Sequence, residues 1–207
     1  MHAPLIWING FPGSGKLTVA TALQTLNKSI TLIDNHKLID PVSSRLPRSH
    51  PKYQQERQAE RQAAFKRHVQ CSSSLSELIV FTDFQSANEL GEKVAFEYEL
   101  AAIQASRPFV PIYLICDEQE NLRRLSSQER LASGTTKLTS ADVLKEIRSH
   151  STLFRFNDCT GLTIDITSKS PAEAAQEIFD HVQALADGQS GLGAINTSKH
   201  PQMQATS

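Results

Sequence analysis

Cysteine is scarce. Cys71, Cys116 and Cys159 lie far apart and form no C-x-x-C pair. That excludes a disulfide framework or a zinc site of that pattern and leaves the thiols as small apolar side chains. An excess of one charge is missing too. The 21 Lys and Arg against 22 Asp and Glu leave a formal charge of −1, so the chain as a whole projects no field that would collect nucleic acid or a membrane surface. No apolar run approaches the ~20 residues needed to cross a bilayer. The first apolar run, residues 5–8, is broken by Asn9 and Gly10 and has no basic segment ahead of it, so it does not read as a secretory leader. The expectation is a soluble, cytoplasmic protein. Hydrophobic residues at 39% and charged residues at 21% exclude a disordered, collagenous or coiled-coil chain. At 207 residues there is enough chain to bury a core without staples.

What is present is patterned. Apolar runs at 5–8, 30–33, 78–81, 109–115 and 162–166 are short and bounded by turn residues, as strands buried on both faces are. Pro111 inside the fourth run predicts a strand start or an edge position. Helical stretches separate the runs: one carrying Val19, Leu23 and Leu26, then 53–71, 95–105, 118–130, 140–153 with Ser140 as N-cap, and 171–185 with Ser170 as N-cap and Pro171 at the first helical position. This alternation predicts an α/β fold of three layers, about five parallel strands flanked by helices. From Asp187 onward Gly, Ser, Thr and Gln dominate, so the reading is one domain over 1–186 and a flexible tail over 187–207. No internal repeat is visible.

Glycine is distributed unevenly: of nine, Gly10, Gly13 and Gly15 fall within six positions. The stretch Gly10-Phe11-Pro12-Gly13-Ser14-Gly15-Lys16 has the frame G-x-x-x-x-G-K, follows an apolar run and opens a helical one. In that frame glycines let successive backbone N–H groups turn inward around a phosphate. The helix N-terminus adds partial positive charge, and the lysine reaches the terminal phosphates. One position departs from the pattern. Leu17 stands where a Ser or Thr hydroxyl binds magnesium, and the hydroxyl comes one place later at Thr18. A single helix step rotates a side chain by ~100°, so Thr18 is left to touch the α-phosphate or to approach the metal from another angle. Magnesium then relies more on water and on carboxylates elsewhere.

With these residues the chain resembles the small-molecule kinase branch of the P-loop NTPases. It is similar to shikimate and gluconate kinases, to chloramphenicol phosphotransferase and to proteins described as AAA-type ATPases, over about residues 4–185. The resemblance implies ATP and Mg2+ as cofactors and transfer of the γ-phosphate to a hydroxyl of a small polar or anionic acceptor. It also implies a small helical lid near 118–140. In such kinases an acid after the second strand faces the γ-phosphate, which is the position of Asp34, with His36 two residues on as a group to orient substrate. Asp83, ending the third apolar run, matches the acid that holds magnesium directly or through water. Both aspartates also suit strand-terminating turns. The lid of such kinases carries arginines that close over the phosphates; Arg124 and Arg130 match best, with Lys137 a weaker third.

Residues 45–70 hold seven Lys and Arg against Glu56 and Glu60, a local net of +5. Residues 77–100 hold six acids against Lys93, a local net of −5. The resemblance makes the basic segment the acceptor pocket, with Arg45 and Arg48 the foremost contacts and Arg57 and Arg61 able to reach it. A solvated helix face with ion pairs to Glu56 and Glu60 is the plainer alternative. Nucleic acid is disfavoured, because only Tyr53 and Phe65 are there to stack on bases. Two other functions stay open: a nucleotide-dependent switch without efficient turnover, favoured by Leu17, and a kinase of nucleotide or nucleic-acid ends, favoured by the basic segment. The identity of the acceptor and the oligomeric state are not encoded legibly.

Overall fold

The computed structural model describes residues 2–125, 138, 140–157 and 161–195. Five strands are β1 (Leu5–Gly10), β2 (Ile30–Asp34), β3 (Leu78–Asp83), β4 (Phe109–Ile115) and β5 (Leu162–Asp165). They form one sheet in the order β2-β3-β1-β4-β5, and every neighbouring pair is parallel. Among the described residues seven α-helices flank it: α1 (Lys16–Leu26), α2 (His36–Ser43), α3 (Tyr53–Ala64), α4 (Glu89–Gln104), α5 (Glu118–Leu125), α6 (Ala141–His150) and α7 (Pro171–Ile195). This is the three-layer α/β arrangement that the strand–helix alternation predicts.

The alternation of side chains along each strand explains the layers. Leu5, Trp7, Ile79 and Phe81 pack with Phe65, Val94, Ala95 and Tyr98 on one face. Ile6, Ile8, Val80, Ile112 and Leu114 pack with Val19, Leu23, Ala175 and Ile178 of α1 and α7 on the other. Burial on both faces is why these runs are apolar throughout rather than alternating.

Several elements differ from the sequence expectation for identifiable reasons. The helix expected over 53–71 ends at Ala64 and passes into a π-helical turn, Phe65–Val69. α2 contains Pro41, which disguises it as a loop. α4 starts at Glu89, six residues before the apolar pattern sets in, because the Asn88 side chain accepts from the Gly91 amide and caps it. α7 continues to Ile195, well past 185 and into the stretch that composition assigns to a tail. Its start is a reciprocal cap: Ser170 Oγ accepts from Glu173 N at 3.2 Å, while Glu173 Oε2 accepts from Ser170 N at 2.8 Å. Pro111 is a correction, since it lies inside β4, a strand with neighbours on both sides. It is tolerated because β5 begins only at Leu162, opposite Ile112, so Pro111 sits just before the ladder on that side opens.

A parallel sheet gathers all its strand C-termini on one edge, where ligands of such folds sit. Here Asn9 is in register with Asp83, and Asp34 with Thr82. The row places the glycine loop, Asp83 and Asp34 side by side across β1, β3 and β2.

Candidate functional site

A cleft of about 860 Å³ opens at this edge. Its walls include Gly13 to Thr18, Asp34, His36, Arg48, Arg57, Asp83, Arg124 and Ile166.

The loop between β1 and α1 has the backbone that a phosphate cradle needs. Gly13 and Gly15 hold positive φ, +80° and +99°, values that a residue with a Cβ adopts only under strain. Gly10 is required for a different reason: a Cβ there would lie 2.9 Å from the Leu114 carbonyl oxygen. Ser14 is 1% exposed and its Oγ has no hydrogen-bond partner among the described residues, which fits a hydroxyl awaiting an anion. Lys16 Nζ donates to the Gly10 and Phe11 carbonyls at 2.6 and 2.8 Å, folded back over its own loop. Leu17 lines the cleft with an aliphatic side chain, and Thr18 lines it as an exposed residue.

The two aspartates are held differently. Asp83 is 1% exposed and both its oxygens are engaged: Oδ1 accepts from Asn35 Nδ2 and the Phe84 amide, and Oδ2 accepts from Gln85 Nε2. Asp34 accepts from Thr82 Oγ1 through Oδ1 at 3.0 Å and is only half-buried. Among the described residues no group of three or more His, Cys, Asp and Glu could hold a metal ion. With Leu17 contributing no oxygen, this donor set fits a magnesium ion that arrives on the nucleotide's phosphates and keeps its waters. It does not fit an ion held by the chain alone.

The far wall is basic and buried. α3 turns Tyr53, Arg57, Arg61 and Ala64 inward, so its buried stripe carries two arginines. Arg61 is paired with Glu97 of α4 through Nε and Nη2, at 2.9 and 3.1 Å. The basic and acidic segments of the sequence are therefore cross-linked. Burial lowers the Arg61 pKa, but the Glu97 bonds outweigh it and the net shift is upward. Arg57 is 6% exposed, donates through Nη2 to Asn35 Oδ1 at 2.9 Å, and its Nη1 has no partner among the described residues. Burial, against the attraction of Asp83, lowers its pKa. Asn35 thus bridges a buried cation and a buried carboxylate with one amide. Tyr98, wholly buried beneath them, has its hydroxyl pKa raised well above the usual value by burial and by Asp83.

The other sequence candidates divide. Arg48 lines the cleft as an exposed residue. His36 lines it too, with Nδ1 3.7 Å from Asp40. Arg45 is not on the cleft wall. Its Nε donates to the Pro41 carbonyl and its guanidinium pairs with Glu56 and Glu60 at 3.5 and 3.3 Å, the ion-pair alternative for this segment. Arg124 lines the cleft but is anchored: it donates to the Ser14, Ile166 and Thr167 carbonyls and to Glu120. Arg130, Lys137 and most of the expected lid lie outside the described residues. Sequence reasoning missed Asn9, Asn35, Gln85, Asn121 and Arg148. Of these Asn9 ties the segment after β3 to the loop strand, donating to the Gln85 and Phe154 carbonyls and accepting from the Gln85 amide.

Glu120 has a pH signature. Hydrogen bonds from Arg123 and then Arg124 lower its pKa from 4.5 to about 2. A carboxylate whose folded pKa is depressed contributes stability above its unfolded pKa and loses it as pH falls through the folded one. The stability deficit of Glu120→Gln relative to the parent is therefore expected at pH 7, shrinking towards zero between about pH 4.5 and pH 2. Urea unfolding at several pH values checks this, and a gap that stays constant with pH would refute the pairing.

The family model described as AAA domain matches residues 6–147, whereas no curated protein matches the chain. Among solved structures, a gluconokinase from Sinorhizobium meliloti superposes with a TM-score of 0.61 at 16% identity, covering 92% of this chain and 98% of that one. A sugar kinase from Janibacter gives 0.60 at 12% identity, covering 87% and 95%. The APS kinase of Mycobacterium tuberculosis, solved with AMPPNP and APS, gives 0.57 at 17% identity, covering 88% and 98%. Such likenesses at low identity speak for the fold. No described helix is long and apolar enough to cross a membrane. The family match spans more than half of the sequence and contains the whole phosphate loop, so the chain belongs to the AAA domain family and has the P-loop kinase-like fold.

Proposed function

We propose that the protein is an ATP-dependent phosphotransferase that moves the γ-phosphate to a hydroxyl of a small anionic metabolite. The observation that carries this reading is Arg57: a buried guanidinium with a free Nη1 on the wall of the same cleft that holds the phosphate loop. A buried guanidinium N–H without an acceptor is costly unless a ligand completes it. The acceptor's anionic group would meet Arg57, with Arg48 and His36 at the rim, and its hydroxyl would meet Asp34, which orients it and takes its proton. Lys16 and the loop amides would hold the β- and γ-phosphates. Asp83, already accepting three hydrogen bonds, would reach a nucleotide-borne magnesium ion through water, and that ion would supply neutralisation of phosphate charge. Phosphoryl transfer needs this positioning more than covalent chemistry.

The test is calorimetry with AMPPNP followed by turnover across a panel of carboxylated, sulfated and phosphorylated alcohols. Arg57→Met is expected to raise the KM for the anionic acceptor at least about tenfold, the loss of one charge-assisted hydrogen bond, while AMPPNP affinity stays within about twofold. An unchanged acceptor KM would overturn the assignment of Arg57.

A second reading, a nucleotide-dependent switch without efficient turnover, is favoured by Leu17 and by the fully engaged Asp83. Leu17→Thr distinguishes the two. Adding one oxygen ligand is expected to raise the magnesium dependence of AMPPNP affinity about tenfold and, in a working kinase, to alter turnover in parallel; a switch would gain affinity alone. A kinase of nucleotide or nucleic-acid ends is less favoured, because three cations of the basic segment are occupied or enclosed: Arg45 and Arg61 are paired and Arg57 is buried.

A further inference from the structure

We propose that Arg148, through Asn121, is a positioning residue that pre-aims the amides of the phosphate loop; this rests on the nucleotide-binding reading above. Arg148 is in the last turn of α6 and is not on the cleft wall. Its Nη1 donates to Asn121 Oδ1 at 3.0 Å and its Nη2 to the Cys116 carbonyl at 3.2 Å. Its guanidinium carbon lies 4.8 Å from the centre of the Phe11 ring, which packs on Phe84. Among the described residues Glu118 is the acid paired with it, at 4.0 Å. Asn121 is fully buried on α5 and donates through Nδ2 to the Pro12 carbonyl at 3.0 Å. Because Oδ1 is taken by a cation, the amide has one orientation, with its NH2 group towards the loop. One turn on, Arg124 Nη1 donates to the Ser14 carbonyl at 3.1 Å.

The consequence follows from peptide geometry. In a planar trans peptide the C=O and the N–H point in opposite directions. A Pro12 carbonyl drawn to Asn121 turns the Gly13 N–H away from α5, and a Ser14 carbonyl drawn to Arg124 does the same for the Gly15 N–H. Two donors are thereby aimed before any phosphate arrives. Gly13 must be glycine for a second reason: a Cβ would lie 3.0 Å from both Asn121 Nδ2 and Leu125 Cδ1. The loop is thus braced from behind by side chains far away in sequence, and binding avoids the cost of ordering it.

The test uses the full chain and compares AMPPNP with adenosine by calorimetry, with melting temperature measured alongside. Asn121→Asp keeps the acceptor for Arg148 but sets an oxygen against the Pro12 carbonyl. It is expected to weaken AMPPNP at least tenfold and adenosine less than twofold, in a protein whose melting temperature falls by several degrees but stays well above the assay temperature. Arg148→Met is expected to weaken AMPPNP three- to tenfold, with Arg148→Lys recovering part of that. The double variant Asn121→Asp with Arg148→Met should be no weaker than Asn121→Asp alone, because both act on one carbonyl. Additive effects, equal losses for adenosine, or wild-type AMPPNP affinity in folded Asn121→Asp would each overturn the proposal and leave the nucleotide-binding reading standing. A parent protein that binds no AMPPNP would remove both.

Discussion

Lys16→Met is expected to lower AMPPNP affinity about 100-fold or more while leaving the melting temperature nearly unchanged. The stem of Lys16 lies along the loop and its ammonium rests on the Gly10 and Phe11 carbonyls at the cleft, where water can replace it. Loss of the cation therefore costs the fold little. It costs the ligand much, since a hydrogen bond between charged groups is worth roughly 1.5–3 kcal/mol and a factor of 10 in affinity is about 1.4 kcal/mol. In the proposed phosphotransfer turnover should fall further, because the charge that develops on the transferring phosphoryl group would lose the Lys16 cation as well. Calorimetry with AMPPNP and a thermal melt on the same samples check both halves. Affinity within threefold of the parent would refute phosphate binding at this loop, and a large drop in melting temperature would show that the lysine is structural.

Arg107→Met should do the reverse, unfolding the protein readily without touching the site. Arg107 is 4% exposed and no carboxylate pairs with it among the described residues. Its Nε donates to the Val69 carbonyl at 2.8 Å. Nη1 donates to Ala3 and Glu77 carbonyls at 2.8 and 2.9 Å, and Nη2 to the Ser74 carbonyl and hydroxyl at 2.6 and 3.2 Å. One planar fork thus ties together the chain before β1, the end of the π-helical turn and the connection into β3, using the geometry that distinguishes Arg from Lys. Methionine fills most of the volume but takes the donor from the Ala3, Val69 and Glu77 carbonyls, while the Ser74 carbonyl keeps the Glu77 amide. Each buried unsatisfied group costs about 1–3 kcal/mol, and partial relaxation brings the sum to about 4 kcal/mol. At about 2–4 °C per kcal/mol for a chain of this size, the melting temperature should fall by roughly 8–16 °C. Lysine, with three donors on one atom, should recover less than half. A deficit below about 1 kcal/mol would show that water replaces the guanidinium without penalty.

The site divides along the same line between what is contiguous and what is assembled. Gly10 to Thr18 is legible because the glycines, the hydroxyls and the lysine of the proposed phosphate cradle come from one uninterrupted stretch between a strand and a helix. Asp34 and Asp83 are legible because parallel strands end on one edge, so an acid closing an apolar run falls near the loop. Arg45 and Arg57 show where this stops. In sequence both are arginines of one basic segment, and the one in the loop looks the better ligand. In the structure Arg45 is spent on Glu56 and Glu60, while Arg57 is on the inward stripe of α3. Hydrophobic periodicity does not reveal that stripe, because two of its positions carry charge. Pro41 hides α2 and Asn88 extends α4 for a similar reason: single side-chain effects override the average propensity of a stretch.

The linear chain thus dictated the layered α/β fold, the strand-loop-helix phosphate cradle and the absence of a serine or threonine at Leu17, since each depends on neighbours a few residues apart. Folding alone decided which arginine is buried with one nitrogen unmatched among the described residues, that Asn35 joins Arg57 to Asp83, and that Asn121 and Arg148 brace Pro12 from more than a hundred residues away. Those are pairings of polar groups across 22 to 109 positions. No local propensity specifies such pairings, because a hydrogen bond is directional and exists only once the packing of the apolar layers has fixed where its donor and acceptor lie.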